Sequence, residues 1–427
     1  MNVRLNSFRL AMLGTLALTA FAAEEPDAAL LRAMKASGND MLANPFNKMS
    51  AQHRPIGDRA IYGIPAGEPD GNKGPATPAR PGERGAIAHL GGIQLTKKVF
   101  TKYLYDIDPS WPAETIRWDG KAGGGPPIIT LPHDFKVPPQ TRGVFRPFGT
   151  GREACLGVYD RATDRLFQFY HLAVGADDAL MANFVHVYPL GGVDYKLDDD
   201  PWQGGSSASK LRLPAGVMRY NEIKSPNPVP IYHMFHTTAS YDNNAKGGHN
   251  PAAAQVLGRT ICWPAASNDG SASKNQGDIP YGTRVCIRWG DRVVRDSTTE
   301  HPIMGLDGIM WALNLDADGG TRGHILFDQA VHYGYVIVDG TSAIASPTSG
   351  VLQIRTDNGD APGDQWPGTV YDAVAKELNK IRPLLWPIAN TRGYGAETEI
   401  YKDGLPYAGG GGPLDSASKN TAWDVSK

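Results

Sequence analysis

Apolar and polar positions alternate along this chain in short runs, the mark of half-buried strands rather than long helices. The runs are densest in the middle. CLGVYD (155–160) and RLFQFYHLAV (165–174) flank DRATD, whose aspartates suit a tight connection, and NFVHVYPLGGVDYKL (183–197) adds a strand pair through its LGG. Alternation puts Phe167, Phe169 and His171 on one face of their strand and Leu166, Gln168 and Tyr170 on the other. Further on, VPIYHMFHTTAS (229–240) and YGYVIVD (333–339) read as strands, the second led in by a short helix near residues 324–333. RYNEI (219–223) reads as a helical turn. DAVAKELNKIRPLLWPI (372–388) has the 3.6-residue period of an amphipathic helix and is stopped by Pro383.

Composition agrees with this punctuation. With 50 glycines, 33 prolines and 20% charged residues in 427, the chain is suited to short strands joined by many loops. The segment GIPAGEPDGNKGPATPARPGERG (63–85) concentrates Pro and Gly and reads as a surface-wrapping arm, with a disordered linker as the alternative. No repeat of fixed period is visible. A formal net charge of −2 gives no basic excess to attract nucleic acid or an anionic membrane.

The opening MNVRLNSFRLAMLGTLALTAFAAEEP places Arg4 and Arg9 before an apolar run and small residues, the pattern of a secretory signal peptide cleaved near Ala22. The expectation is a periplasmic or secreted protein. No later stretch approaches the roughly 20 apolar residues of a transmembrane helix. The expected organisation is a signal peptide over 1–22, an N-terminal helix and wrapping arm over 23–92, a main β domain over 93–390 and a C-terminal loop or tail over 391–427. Of three cysteines, Cys262 and Cys286 lie in strand-like runs on either side of a polar loop and are expected to form a disulfide, with Cys155 free.

At YDRATDRLFQFYHL, GGSSASKLRLPAGVMRYNEI, IYHMF, DIPYGTRVCI and AVHYGYVIVDG the chain resembles a loosely characterised group of exported bacterial β-rich proteins. Where that group carries D-T-L-W-E-F-W, residues 164–170 read DRLFQFY, so the usual acidic position is Gln168. His233 matches the histidine of the group's I-x-H-A-L, and His236 has no counterpart. The resemblance spans about residues 150–340. It implies a β-sandwich or jelly-roll core with long loops and a few short helices, and brings no settled activity.

No single motif fixes the chemistry. GGSSASK is not a nucleophile elbow, GGTRGH lacks the Lys-Ser/Thr of a phosphate loop, and HExxH does not occur. The reading that follows is a polysaccharide-active enzyme. Lyase chemistry on an acidic glycan needs a base and a group that disperses charge on the developing enolate. His233, His186 and Tyr220 are the candidate acid-base residues, and Arg212, Arg219 and Arg259 can fork onto a uronate carboxylate. The alternative, glycoside hydrolysis, needs paired carboxylates, for which Glu222 is the leading central acid beside Asp160, Asp194 and Asp198 to Asp200. A second alternative is a glycan-binding or surface-assembly protein using aromatic platforms such as Phe169, Tyr188 and Trp202. No cofactor is required by these readings; KLDDDPW could hold a structural calcium ion, and His171, His186 and His233 a transition metal. His233 and His236 stand three apart, so a regular strand sends them to opposite faces.

Overall fold

The structure is a computed structural model that describes residues 60–70, 74–96, 207–211, 216–224, 233–240, 255–268, 275–288, 313–316, 322–341, 350–357 and 366–390, the single residues 56 and 231, and strand segments at 102–106, 116–118, 155–160, 165–170, 173–174, 180–182, 184–189, 293–295 and 300–302. The described part is strand-rich with few helices, as the short alternating runs anticipate.

Nine strands and three helices frame the candidate sites. The strands are β1 (Glu68–Pro69), β2 (Leu90–Leu95), β3 (Phe235–Ser240), β4 (Leu257–Ile261), β5 (Ile279–Tyr281), β6 (Arg284–Ile287), β7 (Tyr335–Thr341), β8 (Gly350–Ile354) and β9 (Leu385–Pro387). The helices are α1 (Tyr220–Ile223), α2 (Arg322–His332) and α3 (Gly368–Ile381). Six strands make a mixed sheet in the order β9-β6-β7-β3-β8-β2, and β5-β4-β1 make a smaller one. In the large sheet β3 runs parallel to β7, and β8 parallel to β2.

The two central strands are buried, β3 throughout and β7 over Tyr335–Val338, because both faces of the sheet are covered there, which is why YVIV reads as an unbroken apolar run. Tyr335 and Ile337 join the large core with Phe235, Leu352 and the apolar stripes of α2 and α3. Their neighbours Val336 and Val338 face a second cluster with Leu211, Met234 and Tyr333, flanked by Trp263. On α3, Tyr371, Val374, Leu378 and Ile381 recur at helical spacing and form its buried stripe. Past Ile381 the chain tightens into one 3-10 turn at Arg382–Leu384, where Pro383 cannot continue an α-helical ladder. Helix α2 ends at Gly334, whose φ of 64° lets its N–H and that of Tyr333 both reach the carbonyl of Gln329.

The Pro/Gly-rich segment read as an arm or linker folds against this core. Tyr62 pairs with Ile388, Ile87 is buried in the large cluster, and β2 forms the sheet edge. Asn379 of α3 covers that edge: its amide accepts from the N–H of Ile93 and donates to the carbonyl of the same residue.

CLGVYD and RLFQFY form the antiparallel pair expected, Cys155 opposite Tyr170 and Asp160 opposite Arg165, in a four-stranded sheet with Lys102–Asp106 and Phe184–Pro189. No helix among the described residues is long and apolar enough to cross a membrane.

Cys262 and Cys286 are both buried. The disulfide expected between them is not formed in this structure. Cys262 lies at the end of β4 with its sulfur against the Thr283 hydroxyl, whereas Cys286, in β6, packs with Ile56, Ala60, Tyr62 and Ile388.

Candidate functional site

RYNEI folds as the single turn α1, and the turn is built by its own glutamate. Glu222 Oε2 accepts from the Arg219 backbone N–H at 2.9 Å, turning its carboxylate back over the first turn. The other oxygen, Oε1, lies 2.9 Å from His233 Nε2 and 3.2 Å from Arg219 Nη1. His233 Nδ1 lies 3.0 Å from the Met234 carbonyl, so both ring nitrogens face oxygen acceptors. Gln329 of α2 donates to the carbonyls of His233 and Gly334, holding the entry to β3 against the end of the helix.

This cluster is sealed. Arg219, Glu222 and His233 are 0%, 5% and 1% exposed. Burial alone would raise the Glu222 carboxyl, but Arg219, His233 and the hydrogen bonds from them outweigh it and hold the group below its ordinary value. Burial lowers Arg219 against the attraction of Glu222 and Asp357. Asp357 extends the network, accepting from the Tyr220 N–H and the Trp366 indole. Tyr220 is half-buried beside Trp366, with ring centroids 5.9 Å apart.

His236 has a different environment. Its ring lies on Gly216, where an added Cβ would stand 1.9 Å from Cδ2. It is fully buried, and neither ring nitrogen has a hydrogen-bond partner among the described residues. Burial first, then Arg355 and His233, push it well below the usual histidine value. Phe235, which meets the His233 ring edge-on at 5.4 Å, belongs to the helix-side core, whereas Met234 belongs to the second cluster. The alternation expected for this stretch is thus present.

The second place of interest is a groove of about 420 Å³ over β4, lined by Arg80, Arg259, Thr77, Thr260, Asn275 and Asp278 among others. Two arginines face it in unlike states. Arg80 is neutralised, bonded to Glu83 at 2.9 Å and to Asp278 at 3.1 Å. Arg259 is exposed and has no carboxylate partner among the described residues; Nε donates to the Asn275 carbonyl at 3.0 Å. Asn275 is buried, held by bonds from its amide nitrogen to the Gly258 carbonyl and the Tyr281 hydroxyl, while its Oδ1 has no partner among the described residues.

Of the residues singled out by sequence, the structure brings Arg219, Tyr220, Glu222 and His233 together. Arg259 stands apart from them in the β4 groove. Phe169 is fully buried, a core position with no face open to a sugar. His186 lies on the strand opposite Gln168, with its side chain outside the described residues. Arg212, Trp202, His171 and the KLDDDPW run also lie outside them. Among the described residues no group of three metal-ligating side chains converges. The groove residues Arg80, Asn275 and Asp278 were missed, since each sits in a Gly/Pro-rich or polar connection that reads as loop. Comparisons with protein-family models, with curated proteins and with solved structures found no match.

Proposed function

We propose that this chain is an exported glycan-binding protein that holds an acidic polysaccharide in the groove over β4, with Arg259 receiving a uronate carboxylate. The observation that supports the reading is the unequal pairing of the two groove arginines: Arg80 already has two carboxylates, whereas the exposed Arg259 has none among the described residues. A guanidinium fork matches a carboxylate geometrically, and a groove of this volume is within the range of small-ligand sites. Arg219, Glu222 and His233 have a structural part in this account, tying α1 to β3 and α2. The proposal includes export through the N-terminal leader, no nucleic-acid partner, and the sandwich or jelly-roll arrangement anticipated for the β domain over residues 93–390.

Turnover by elimination is the second reading, favoured by the convergence of His233, Glu222, Arg219 and Tyr220. It requires a polymer to reach a ring that is 1% exposed. One screen separates the two: the purified protein is titrated with acidic and neutral glycans while ultraviolet absorbance from unsaturated ends and reducing-end release are followed. Saturable binding of acidic glycan without either product supports the binding reading. Elimination products restore the lyase reading, and reducing ends alone favour hydrolysis.

A further inference from the structure

The groove over β4 does not end at Asp278. A second concavity of about 550 Å³ is lined by Glu83, Ala88, His89 and Gln255, and it shares Gln276, Gly277 and Asp278 with the first. The turn at 276–278 is therefore a saddle between two basins. It is held rigidly: the Gly277 N–H donates to the Leu257 carbonyl, the Gln276 N–H to Gln255 Oε1, and Asp278 Oδ1 accepts from the Ala86 N–H. At Gly277 a Cβ would stand 2.2 Å from the Val256 carbonyl oxygen, so the close approach of the turn to β4 requires glycine.

The two basins differ in chemistry. The first offers the open guanidinium of Arg259. In the second the guanidinium of Arg84 is already engaged, bound to the carbonyls of Leu385 and Pro383 and lying over the Trp386 ring. What this basin presents are amides and a carboxylate: Gln255, whose oxygen is used but whose amide N–H groups have no described partner, the exposed Gln276, and Glu83. Amides and carboxylates suit sugar hydroxyls, and a guanidinium suits a carboxylate.

Resting on the acidic-glycan reading above, we infer that the ligand is an extended oligosaccharide crossing the saddle, with its charged sugar at Arg259 and the adjoining sugars hydrogen-bonded in the Glu83–Gln255 basin. Two linked contacts then act as one site, and affinity depends on chain length.

The test is calorimetric titration with a uronate monomer and a series of oligouronates from dimer to hexamer. The expected result is an affinity that climbs by about tenfold or more from monomer to the length that spans both basins and then levels off. Ala88→Trp, at an exposed position lining only the second basin, should leave monomer affinity unchanged and remove the gain. Equal affinity for all lengths would overturn the two-basin inference while leaving the glycan reading standing. No binding of any uronate would overturn both. A length gain that survives both Ala88→Trp and His89→Trp would show that the chain leaves the groove by another route.

Discussion

His233 Nε2 and Glu222 Oε1 are 2.9 Å apart in a site closed to solvent, and the same carboxylate oxygen is 3.2 Å from Arg219 Nη1. One carboxylate thus compensates two nitrogen bases that burial would otherwise penalise. Removing it takes the partner of His233 Nε2 and leaves Arg219 only the attraction of Asp357, and breaking a buried pair in this way costs about 3–5 kcal/mol. Glu222→Ala should lower the unfolding free energy by that amount, read by urea unfolding. A loss within about 0.5 kcal/mol, ordinary for a surface substitution, would show that the cluster does not hold the fold.

Gly216 and His236 make a second pair with a measurable coupling. Gly216→Ala puts a methyl carbon into the imidazole, an overpacking that costs about 1–3 kcal/mol. In the background of His236→Ala the ring is gone, so the same substitution should cost much less. A double-mutant cycle by chemical denaturation measures this, and strict additivity would contradict the contact.

The buried, unpartnered His236 also sets the direction of pH dependence. Its folded-state value is well below the ordinary one, with Arg355 and His233 the charged groups that add to the effect of burial. As pH falls through the unfolded value of about 6.5, the unfolded chain takes up a proton that the folded chain refuses, so stability declines. His332, lowered by burial against Asp328, adds in the same sense. Glu222 adds a later loss, its stabilisation being present above the unfolded carboxyl value and disappearing as pH falls through its depressed folded value. Melting temperatures should therefore fall from pH 7 to about pH 5, and His236→Leu should flatten that slope. An unchanged slope in the variant would assign the pH dependence elsewhere.

The two buried thiols give a chemical prediction. Denaturing the protein without reductant and adding an alkylating reagent should modify both Cys262 and Cys286, while the native protein should label slowly at each because both are buried. Recovery of a linked peptide pair by mass spectrometry would contradict the structure.

What the sequence conveyed and what it concealed follow from the range of the interactions. Period-two and period-3.6 patterns are local, so CLGVYD, RLFQFY, YVIVD and the stripe of Tyr371, Val374, Leu378 and Ile381 could be read directly. So could the turn at RYNEI and the division of His233 from His236. The sheet order could not, because β3 takes its partners from residues about a hundred positions away. Two apolar runs bracketing a loop suggested neighbouring strands, but β4 and β6 belong to different sheets, and adjacency in sequence carried no information about that. The groove was concealed for a similar reason: Arg80 and Asp278, 198 positions apart, meet only when the Pro/Gly-rich segment folds back.

Arg259 is the residue on which the functional account turns, and its removal is the most direct test. The measurement is equilibrium binding of an acidic oligosaccharide to Arg259→Ala beside wild type, with thermal unfolding as the control for folding. The account predicts an intact fold and an affinity lower by roughly 10- to 100-fold, as expected when a charged hydrogen bond of about 1.5–3 kcal/mol is lost. An Arg259→Ala protein that binds acidic oligosaccharide as tightly as wild type would contradict it.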